Sequence, residues 1–415
     1  MASFSFGAGN AAKLLRIPLY AGGRLVTAVV PRSRDQWVFG CAVGIADGAL
    51  ALWEQSHGER AVWLVGNERE RLDAAARGIP TVRKHSLSGF WRTARARVIV
   101  VTHGLGDVNR YAVSGAYVVQ LWHGIPLKRI GLDSPETTRM GRIPGLSRVV
   151  ATLYRRTQQQ ISLLPAASHL VRGRLESAFA LPDDRVRVTG EPRVDVLSQG
   201  TAGERRAEAR RRLSRLWDLP DRQERIVLYA PTWRDGAPDP AVPTRAQWDA
   251  LVQVLEQNDA VLAIRSHPLG AGDYTPPVAT DRVRSLGSAV VADVTPLLPG
   301  IDVLITDYSS LTFDASLVPV PVVYLAPDAV EYGKRRGFYG TYLEVAGDEP
   351  AQTWDAAADD LASLLSDPSA YELRVERARA LSERMHAFHD GKNTERVYAT
   401  IRAGLDGHAQ GGGPR

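Results

Sequence analysis

The sequence predicts an α/β fold in which two Rossmann-like domains face each other across a cleft. Short apolar runs alternate with segments of helical periodicity from Leu25 to about Leu197. This alternation is typical of a parallel sheet covered by helices on both faces. A polar, arginine-dense segment, Gly200–Trp217, interrupts the pattern, which then restarts. Two such halves, each large enough for its own core, imply a cleft between them.

The first half contains five predicted strands, because five short runs are rich in Val, Ile, Leu and Tyr. These strands are Leu25–Val30, Ala61–Val65, Val98–Thr102, Tyr117–Leu121 and Val186–Thr189. Apolar residues at helical spacing predict helices at Gly48–Gln55, Glu68–Arg77, Ser147–Gln160 and His169–Ala178. Strands joined by helices are parallel, so their carboxyl ends should lie at one edge of the sheet.

The second half repeats this arrangement on the same kind of evidence. Its predicted strands are Ile226–Tyr229, Ala260–Arg265, Val283–Ser285, Asp302–Thr306 and Val322–Leu325. Its predicted helices are Arg245–Gln257, Val294–Leu298, Ser309–Leu317, Thr353–Leu365 and Tyr371–His386.

These elements predict six segments. They are a leader at 1–24, a Rossmann-like domain at 25–200, an arginine-rich linker helix at 201–222, a second Rossmann-like domain at 223–385, a C-terminal helix at 386–405 that packs back across the domains, and a disordered tail at 406–415. The leader mixes Leu and Ile with basic residues. It is either a frayed segment or a weak interfacial membrane anchor.

Composition excludes several classes of protein. The 415 residues include 51 Lys and Arg against 46 Asp and Glu, and a net charge of +5 is too small for a dedicated nucleic-acid binder. The single cysteine, Cys41, excludes an internal disulfide and a cysteine-rich zinc site. No apolar run approaches the ~20 residues that a membrane span needs. We therefore expect a cytoplasmic protein, with peripheral attachment to the inner face of the plasma membrane as an option.

One stretch, Ile301–Leu325, predicts a strand, a polar loop, a helix and a second strand. The loop residues are Thr306, Asp307, Tyr308, Ser309 and Ser310. Free backbone N–H groups at the amino end of a helix favour an anion, and phosphate is the usual guest. The alternative is that the two serines only cap the helix.

His123 is the candidate for proton transfer. It follows a predicted strand, and Gly124 and Pro126 force an irregular turn that would expose it at the carboxyl end of that strand. Lys128 adds a cation nearby. The alternative is a structural histidine.

Two further strand ends in the second half carry cationic groups. Thr232 and Arg234 follow the first strand of this half, and both could reach a phosphate. Arg265 and His267 alternate along an extended segment, so they project to one side as an oxyanion clamp. The sequence shows no cluster that demands a metal or other cofactor.

Six ordered motifs together resemble the CDP-glycerol glycerophosphotransferase family of teichoic-acid polymerases and primases. They are QLWHGIPLK (120–128), LYAPTWRD (228–235), IRSHP (264–268), DVLITDYSSLTFDASL (302–317), RRGFY (335–339) and HDGKNTERV (389–397). The sequence departs from the family pattern at Ile125 and in the DGKNT segment.

The resemblance implies a GT-B fold and a reaction. A polyol phosphate, typically glycerol phosphate, passes from a CDP-alcohol to a hydroxyl of a lipid-linked or glycan acceptor, and CMP leaves. The two functional histidines of the family fall on His123 and His267. We expect His123 to accept the hydroxyl proton, with the acceptor on the first half. Arg265, His267 and the Thr306–Ser310 loop would hold the donor on the second half.

The remaining substrate contacts that we expect are Lys128, toward an anionic acceptor, and Thr232, Arg234, Gly124, Arg335 and Asp390. The polyol (glycerol, ribitol or another), the number of units added and the need for a divalent metal stay open. Two other functions are weighed. One is a GT-B sugar-nucleotide glycosyltransferase or epimerase. The other is a basic membrane- or polyanion-binding module that uses Arg205–Arg215.

Overall fold

The structure is a computed structural model that describes residues 17–138, 146–218, 224–234, 238–266, 272–347 and 350–410. It divides into two compact units. The first comprises the described residues of Met1–His123, Arg129–Asp195 and Lys392–Arg415, and the second those of Gly124–Lys128 and Val196–Gly391. Each unit holds one parallel sheet, and the chain returns to the first unit at its C-terminal end.

The sheet of the first unit has seven strands. They are β1 (Gln36–Phe39), β2 (Arg60–Val65), β3 (Thr81–Arg83), β4 (Val98–Val101), β5 (Tyr117–Gln120), β6 (Ile161–Ala166) and β7 (Val186–Val188). Their order is β3-β2-β1-β4-β5-β6-β7, and all pairs are parallel. The chain direction across the sheet therefore switches between β1 and β4, where open α/β sheets bind ligands at the carboxyl edge.

Within the described residues, seven helices of this unit lie before or among these strands, and three of them begin at a residue whose side chain caps the first turn. The seven are α1 (Ile17–Val29), α2 (Asp47–Gln55), α3 (Glu68–Ala76), α4 (Leu87–Arg95), α5 (Pro135–Thr138), α6 (Leu146–Gln158) and α7 (His169–Phe179). The side chains of Asn67, Ser86 and Ser168 accept hydrogen bonds from the first turns of α3, α4 and α7. Such caps stabilise a helix by about 1 kcal/mol each.

The second unit is built around five strands in the order β10-β9-β8-β11-β12. They are β8 (Arg225–Ala230), β9 (Ala260–Ile264), β10 (Val283–Ser285), β11 (Val303–Thr306) and β12 (Val322–Tyr324). Its helices are α8 (Ala202–Trp217), α9 (Arg245–Gln257), α10 (Leu311–Ser316), α11 (Ala329–Arg336), α12 (Leu343–Ala346), α13 (Trp354–Ser366) and α14 (Pro368–Met385). In this sheet the chain direction switches between β8 and β11.

The last helix, α15 (Asn393–Gln410), belongs to the first unit. Val397, Ile401 and Leu405 are buried in its core together with Trp37. The carboxylate of Asp195 accepts hydrogen bonds from two backbone N–H groups at the start of this helix, at 2.9 and 2.7 Å. The helix runs to Gln410, into the segment predicted as a disordered tail.

The predicted α/β class is confirmed, and so are all five predicted strands of the second half. In the first half, β1, β3 and β6 were not predicted, and the predicted strand Leu25–Val30 is wrong because these residues lie in and after α1. Within α1, Gly23 has a packing role. A Cβ on Gly23 would lie 2.1 Å from the carbonyl oxygen of Tyr111, so only glycine allows this close approach.

The arginine-rich segment predicted as a linker is helix α8, and it packs on the second unit. Its Leu213 is buried against Gly300, where an added Cβ would lie 3.2 Å from the leucine side chain. Arg206 and Arg210 both form ion pairs with the carboxylate of Asp302. The same carboxylate accepts a 2.7 Å hydrogen bond from the backbone N–H of Ile226 in β8.

Asp302→Ala should lower the free energy of unfolding by about 3 kcal/mol, because it leaves a largely buried arginine without its carboxylate. Denaturant unfolding measures this change. Glu208→Ala is the matched control, since Glu208 also pairs with arginines of α8, three in number, but at the surface. It should cost less than about 1 kcal/mol. Equal losses in the two variants would contradict this account.

Candidate functional site

The carboxyl end of β5 carries His123 on a strained turn. Trp122 has a φ of +63° and Gly124 a φ of +132°. The first value is costly for a residue with a side chain, and the second is one that glycine adopts readily. His123 itself is half-buried. The irregular turn predicted from Gly124 and Pro126 is therefore present.

His123 lies against other rings of the first unit. The imidazole of His103 is parallel to it, with centroids 4.2 Å apart and an angle of 3° between the planes. The indole of Trp122 lies 4.1 Å from it and meets the ring of Phe179 edge-on. His103 was not among the predicted residues. The signal was present, because a His-Gly pair follows β4 just as one follows β5, and these two strands are parallel neighbours.

A buried carboxylate holds the turn that carries His103. Asp107 accepts hydrogen bonds from the backbone N–H groups of Thr102, at 3.0 Å, and of His103, at 2.7 Å. Burial raises the pKa of Asp107 and lowers the pKa of His103, although Asp107 acts in the opposite direction on the histidine. His103 is therefore neutral near pH 7.

Cys41, Asp47 and His103 each offer one potential metal ligand, and these atoms lie within 4.8 Å of one another. The hydroxyl of Thr102 is within hydrogen-bond distance of the Cys41 Sγ, at 3.1 Å, and of the His103 Nδ1, at 2.8 Å. Burial raises the pKa of the Cys41 thiol well above its usual value, whereas a metal binds the thiolate. We assign these groups to a hydrogen-bonded network rather than to a metal site.

In the second unit, Asp307 is the centre of the switch point between β8 and β11. It is buried, and it accepts hydrogen bonds from the backbone N–H groups of Thr232, at 2.9 Å, and Tyr308, at 2.6 Å. The guanidinium of Arg234 donates to the same carboxylate at 2.7 Å. The segment after β8 is thus fixed to the segment after β11.

Arg234 was predicted to contact phosphate, but the structure places its side chain on two carboxylates. Besides Asp307, it binds Asp328 with two hydrogen bonds of 2.9 and 3.0 Å. The guanidinium also lies over the rings of Tyr308 and Tyr332, at 5.0 and 5.2 Å. Burial acts to lower the pKa of Arg234, but the two carboxylates raise it above its usual value. This cation therefore links structural elements.

The Thr306–Ser310 loop divides into buried and partly exposed residues. Thr306 donates to the carbonyl of Ala230 at 2.6 Å, and the Tyr308 hydroxyl donates to Asp328 at 2.9 Å. Ser309 and Ser310 remain half-buried at the amino end of α10, and the Ser310 side chain does not cap this helix. The hydroxyl of Thr232 is buried without a hydrogen-bond partner among the described residues. These three hydroxyl groups are the best-placed donors to a ligand.

Of the predicted clamp, only Arg265 lies within the described residues, and its side chain binds backbone carbonyl groups. The Arg265 guanidinium donates to the carbonyl groups of Leu286, Val291 and Ala292, at 3.0 to 3.1 Å. Burial lowers the pKa of Arg265, and Asp293 opposes this effect. The arginine therefore supports the loop that follows β10. His267 lies outside the described residues.

The segment from Gly124 to Lys128 packs with the second unit rather than with the half in which the sequence placed it. Lys128 pairs with Phe338 in an antiparallel bridge, and the Tyr339 N–H donates to the carbonyl of Leu127 at 3.0 Å. The Lys128 Nζ lies 5.9 Å above the ring of Tyr332. The other expected contacts, Arg335 at the end of α11 and Asp390 before α15, are exposed.

Comparison with known proteins identifies the family. The model of the family described as CDP-Glycerol:Poly(glycerophosphate) glycerophosphotransferase matches residues 45–403. The chain belongs to this family. The match spans His123 and the Thr306–Ser310 loop, so both candidate sites lie inside the family region.

Individual relatives agree with this assignment. The chain is 26% identical to the teichoic acid glycerol-phosphate transferase of Staphylococcus aureus over 86% of this chain and 89% of that protein. It is 25% identical to the teichoic acid poly(glycerol phosphate) polymerase of Bacillus subtilis over 84% of this chain but only 45% of that protein. The chain thus spans less than half of that polymerase.

Among solved structures, the wall teichoic acid polymerase TagF superposes with a TM-score of 0.76 at 21% identity. The alignment covers 96% of this chain and 98% of that chain. The GT-B-like fold is therefore confirmed, as are the family resemblance and the transferase class. The comparisons support this class over the sugar-nucleotide and non-catalytic alternatives.

Arg234→Ala should lower the free energy of unfolding by about 3–5 kcal/mol, because it leaves Asp307 buried without its cation. Thermal and denaturant unfolding with and without CMP measure this change. Ser309→Ala is the control, since Ser309 is half-buried and outside the ion-pair network. It should retain the stability of the unmodified protein. If Arg234→Ala is fully stable and only loses nucleotide binding, the structural role is wrong.

Proposed function

We propose that the protein transfers glycerol phosphate, or a related polyol phosphate, from a CDP-alcohol to a hydroxyl of a lipid-linked or glycan acceptor. CMP is the second product. Such a reaction extends or initiates a teichoic-acid-like or capsular polymer. The observation that carries the proposal is the family match over residues 45–403, which contains both candidate sites.

The chemistry assigns a role to each unit. The acceptor oxygen attacks the phosphorus distal to cytidine, the bond from this phosphorus to the CMP oxygen breaks, and His123 accepts the proton of the hydroxyl. Catalysis of such a transfer consists of positioning and charge stabilisation. The half-buried position of His123 on a rigid turn supports its role as the base.

The donor is held by the second unit in this proposal. The hydroxyl groups of Thr232, Ser309 and Ser310 lie at the carboxyl ends of β8 and β11 and would donate hydrogen bonds to the pyrophosphate. His267 would stabilise the charge that grows on CMP. Arg234 acts indirectly, because it fixes the two segments that carry these hydroxyl groups. Lys128 would contact the anionic acceptor.

A membrane surface is the proposed location of the acceptor. No helix within the described ranges is long and apolar enough to cross a membrane. Helix α1 exposes Leu25 and Val29, and helix α4, which packs against it, exposes Leu87 and Trp91. Arg24 is exposed beside them. An apolar patch with a basic residue at its edge suits the surface of an anionic bilayer.

His123→Ala should lower the rate of CMP release from CDP-glycerol by ~100-fold or more, because a positioned general base contributes at least this factor. Binding of CDP-glycerol, measured by calorimetry, should change little. His57→Ala is the matched control, since His57 is exposed and distant in the chain from every motif. Near-normal turnover in His123→Ala would disprove the role of the base.

The donor class is tested with the unmodified protein. CMP should be released from CDP-glycerol or CDP-ribitol in the presence of a synthetic lipid-linked acceptor, and mass spectrometry should show the acceptor gaining one or more polyol phosphate units. Release of UDP from UDP-sugars, with no CMP from either CDP-alcohol, would contradict the proposed function.

The double variant Leu25→Glu/Val29→Glu should lose binding to anionic vesicles, since it places charge in the apolar patch. Flotation with phosphatidylglycerol vesicles at low and high salt measures this binding. Leu373→Glu is the control, because Leu373 is similarly exposed but lies in the second unit. The membrane proposal is wrong if the unmodified protein does not float with the vesicles at low salt.

A further inference from the structure

We propose that His103 is a positioning residue for His123, and that its stacked ring fixes the plane in which His123 accepts the proton. The inference rests on the proposed role of His123 and extends it to a residue that the family resemblance did not point to. Its basis is the contact between the two imidazole rings at the switch point of the first sheet.

The two imidazole rings are stacked face to face. The ring centroids are 4.2 Å apart and the planes differ by only 3°. Trp122 adds a second ring at 4.1 Å from His123. A ring packed in this way has little freedom to rotate about its χ2 angle. A base on a half-exposed turn gains most from such a restraint, because a displacement of about 1 Å can cost ~100-fold in rate.

His103 is itself held by groups on several elements. The carboxylate of Asp107 binds its backbone N–H, and the hydroxyl of Thr102 lies 2.8 Å from its Nδ1. Thr102 also contacts the thiol of Cys41, which follows β1. These contacts fix the backbone and one ring nitrogen, so the ring of His103 is rigid before any substrate binds.

The charge state of His103 is set by the same surroundings. Burial lowers its pKa, Arg193 acts in the same direction and Asp107 opposes them. The other titratable groups that face it are Cys41 and Asp47, together with His123. A neutral ring at 4.2 Å tolerates the cation that forms on His123 during the reaction. A protonated ring would repel this cation.

A proton relay through His103 is the competing explanation. The Nδ1 of His103 is already hydrogen-bonded to Thr102. The two rings are also stacked face to face, whereas proton transfer between them requires a hydrogen bond from a nitrogen of one ring to a nitrogen of the other. A phenylalanine ring separates the two explanations, because it can stack on His123 but can carry no proton.

The experiment compares His103→Ala, His103→Phe and the control His57→Ala in the CMP-release assay. His103→Ala should lower kcat by about 10- to 100-fold and leave the KM for CDP-glycerol within about 2-fold. His103→Phe should retain kcat within about 3-fold of the unmodified protein. His57→Ala should not change either constant.

Ring resonances provide a readout that does not depend on activity. The protein contains nine histidines, few enough for each Cε1–Hε1 signal to be assigned by substitution after carbon-13 labelling. The His123 signal should move and broaden in His103→Ala and stay sharp in His103→Phe.

Each outcome decides the matter. Unchanged kcat and an unchanged His123 signal in His103→Ala would overturn the inference. So would equal losses in the Ala and Phe variants with a sharp His123 signal in both, because this result indicates a relay. Normal turnover in His123→Ala would instead contradict the proposed role of His123 as the base. The His123 signals in His103→Ala and His103→Phe would still show whether His103 orders this ring.

Discussion

The buried carboxylate of Asp307 is the group on which the second unit depends. Removing a charge from water costs several kcal/mol, and only good partners offset this cost. Asp307 has two backbone N–H groups and the guanidinium of Arg234, which in turn binds Asp328. One cation between two anions thus ties the ends of β8 and β11 to the start of α11. This network therefore positions the hydroxyl groups of Ser309 and Ser310.

The first unit also has a buried carboxylate that holds a loop, in an arrangement with fewer charged groups. Asp107 is buried among backbone N–H groups and holds the turn after β4, as Asp307 holds the turns after β8 and β11. In both units a carboxylate at a switch point fixes loops that must be irregular to expose functional side chains. Loops of this kind gain their precision from a few buried polar contacts rather than from regular secondary structure.

Strands were predicted correctly where both faces of the sheet are buried, because such strands are continuous apolar runs. Strand β11 and the strand pattern of the second half are of this kind. The prediction was wrong at α1. The exposed apolar residues Leu25 and Val29 gave an apolar run typical of a strand, and Gly23 is needed for the packing of the helix.

The candidate site was predicted in outline but not in its contacts. The motifs located the strand ends correctly, because parallel strands bring their carboxyl ends together whatever the loops contain. The partner of Arg234 was not predictable, since Asp328 lies 94 positions away in the chain. Arg265 was assigned to phosphate for a similar reason. Its partners are backbone carbonyl groups, which every residue has, so the residue types do not reveal the contact. His103 was not predicted, and its position becomes meaningful only once β4 and β5 are known to be neighbours in the sheet.

Helix α15 has a consequence for biosynthesis. The first unit begins near the N-terminus, yet Val397, Ile401 and Leu405 complete its core. During translation, all strands and helices of the second unit are synthesised before these residues. The first unit must therefore wait, with an apolar surface uncovered, while nearly two hundred residues of the second unit are synthesised. At about 5–20 residues per second this interval lasts on the order of 10–40 s, long enough for a chaperone to bind the nascent sheet.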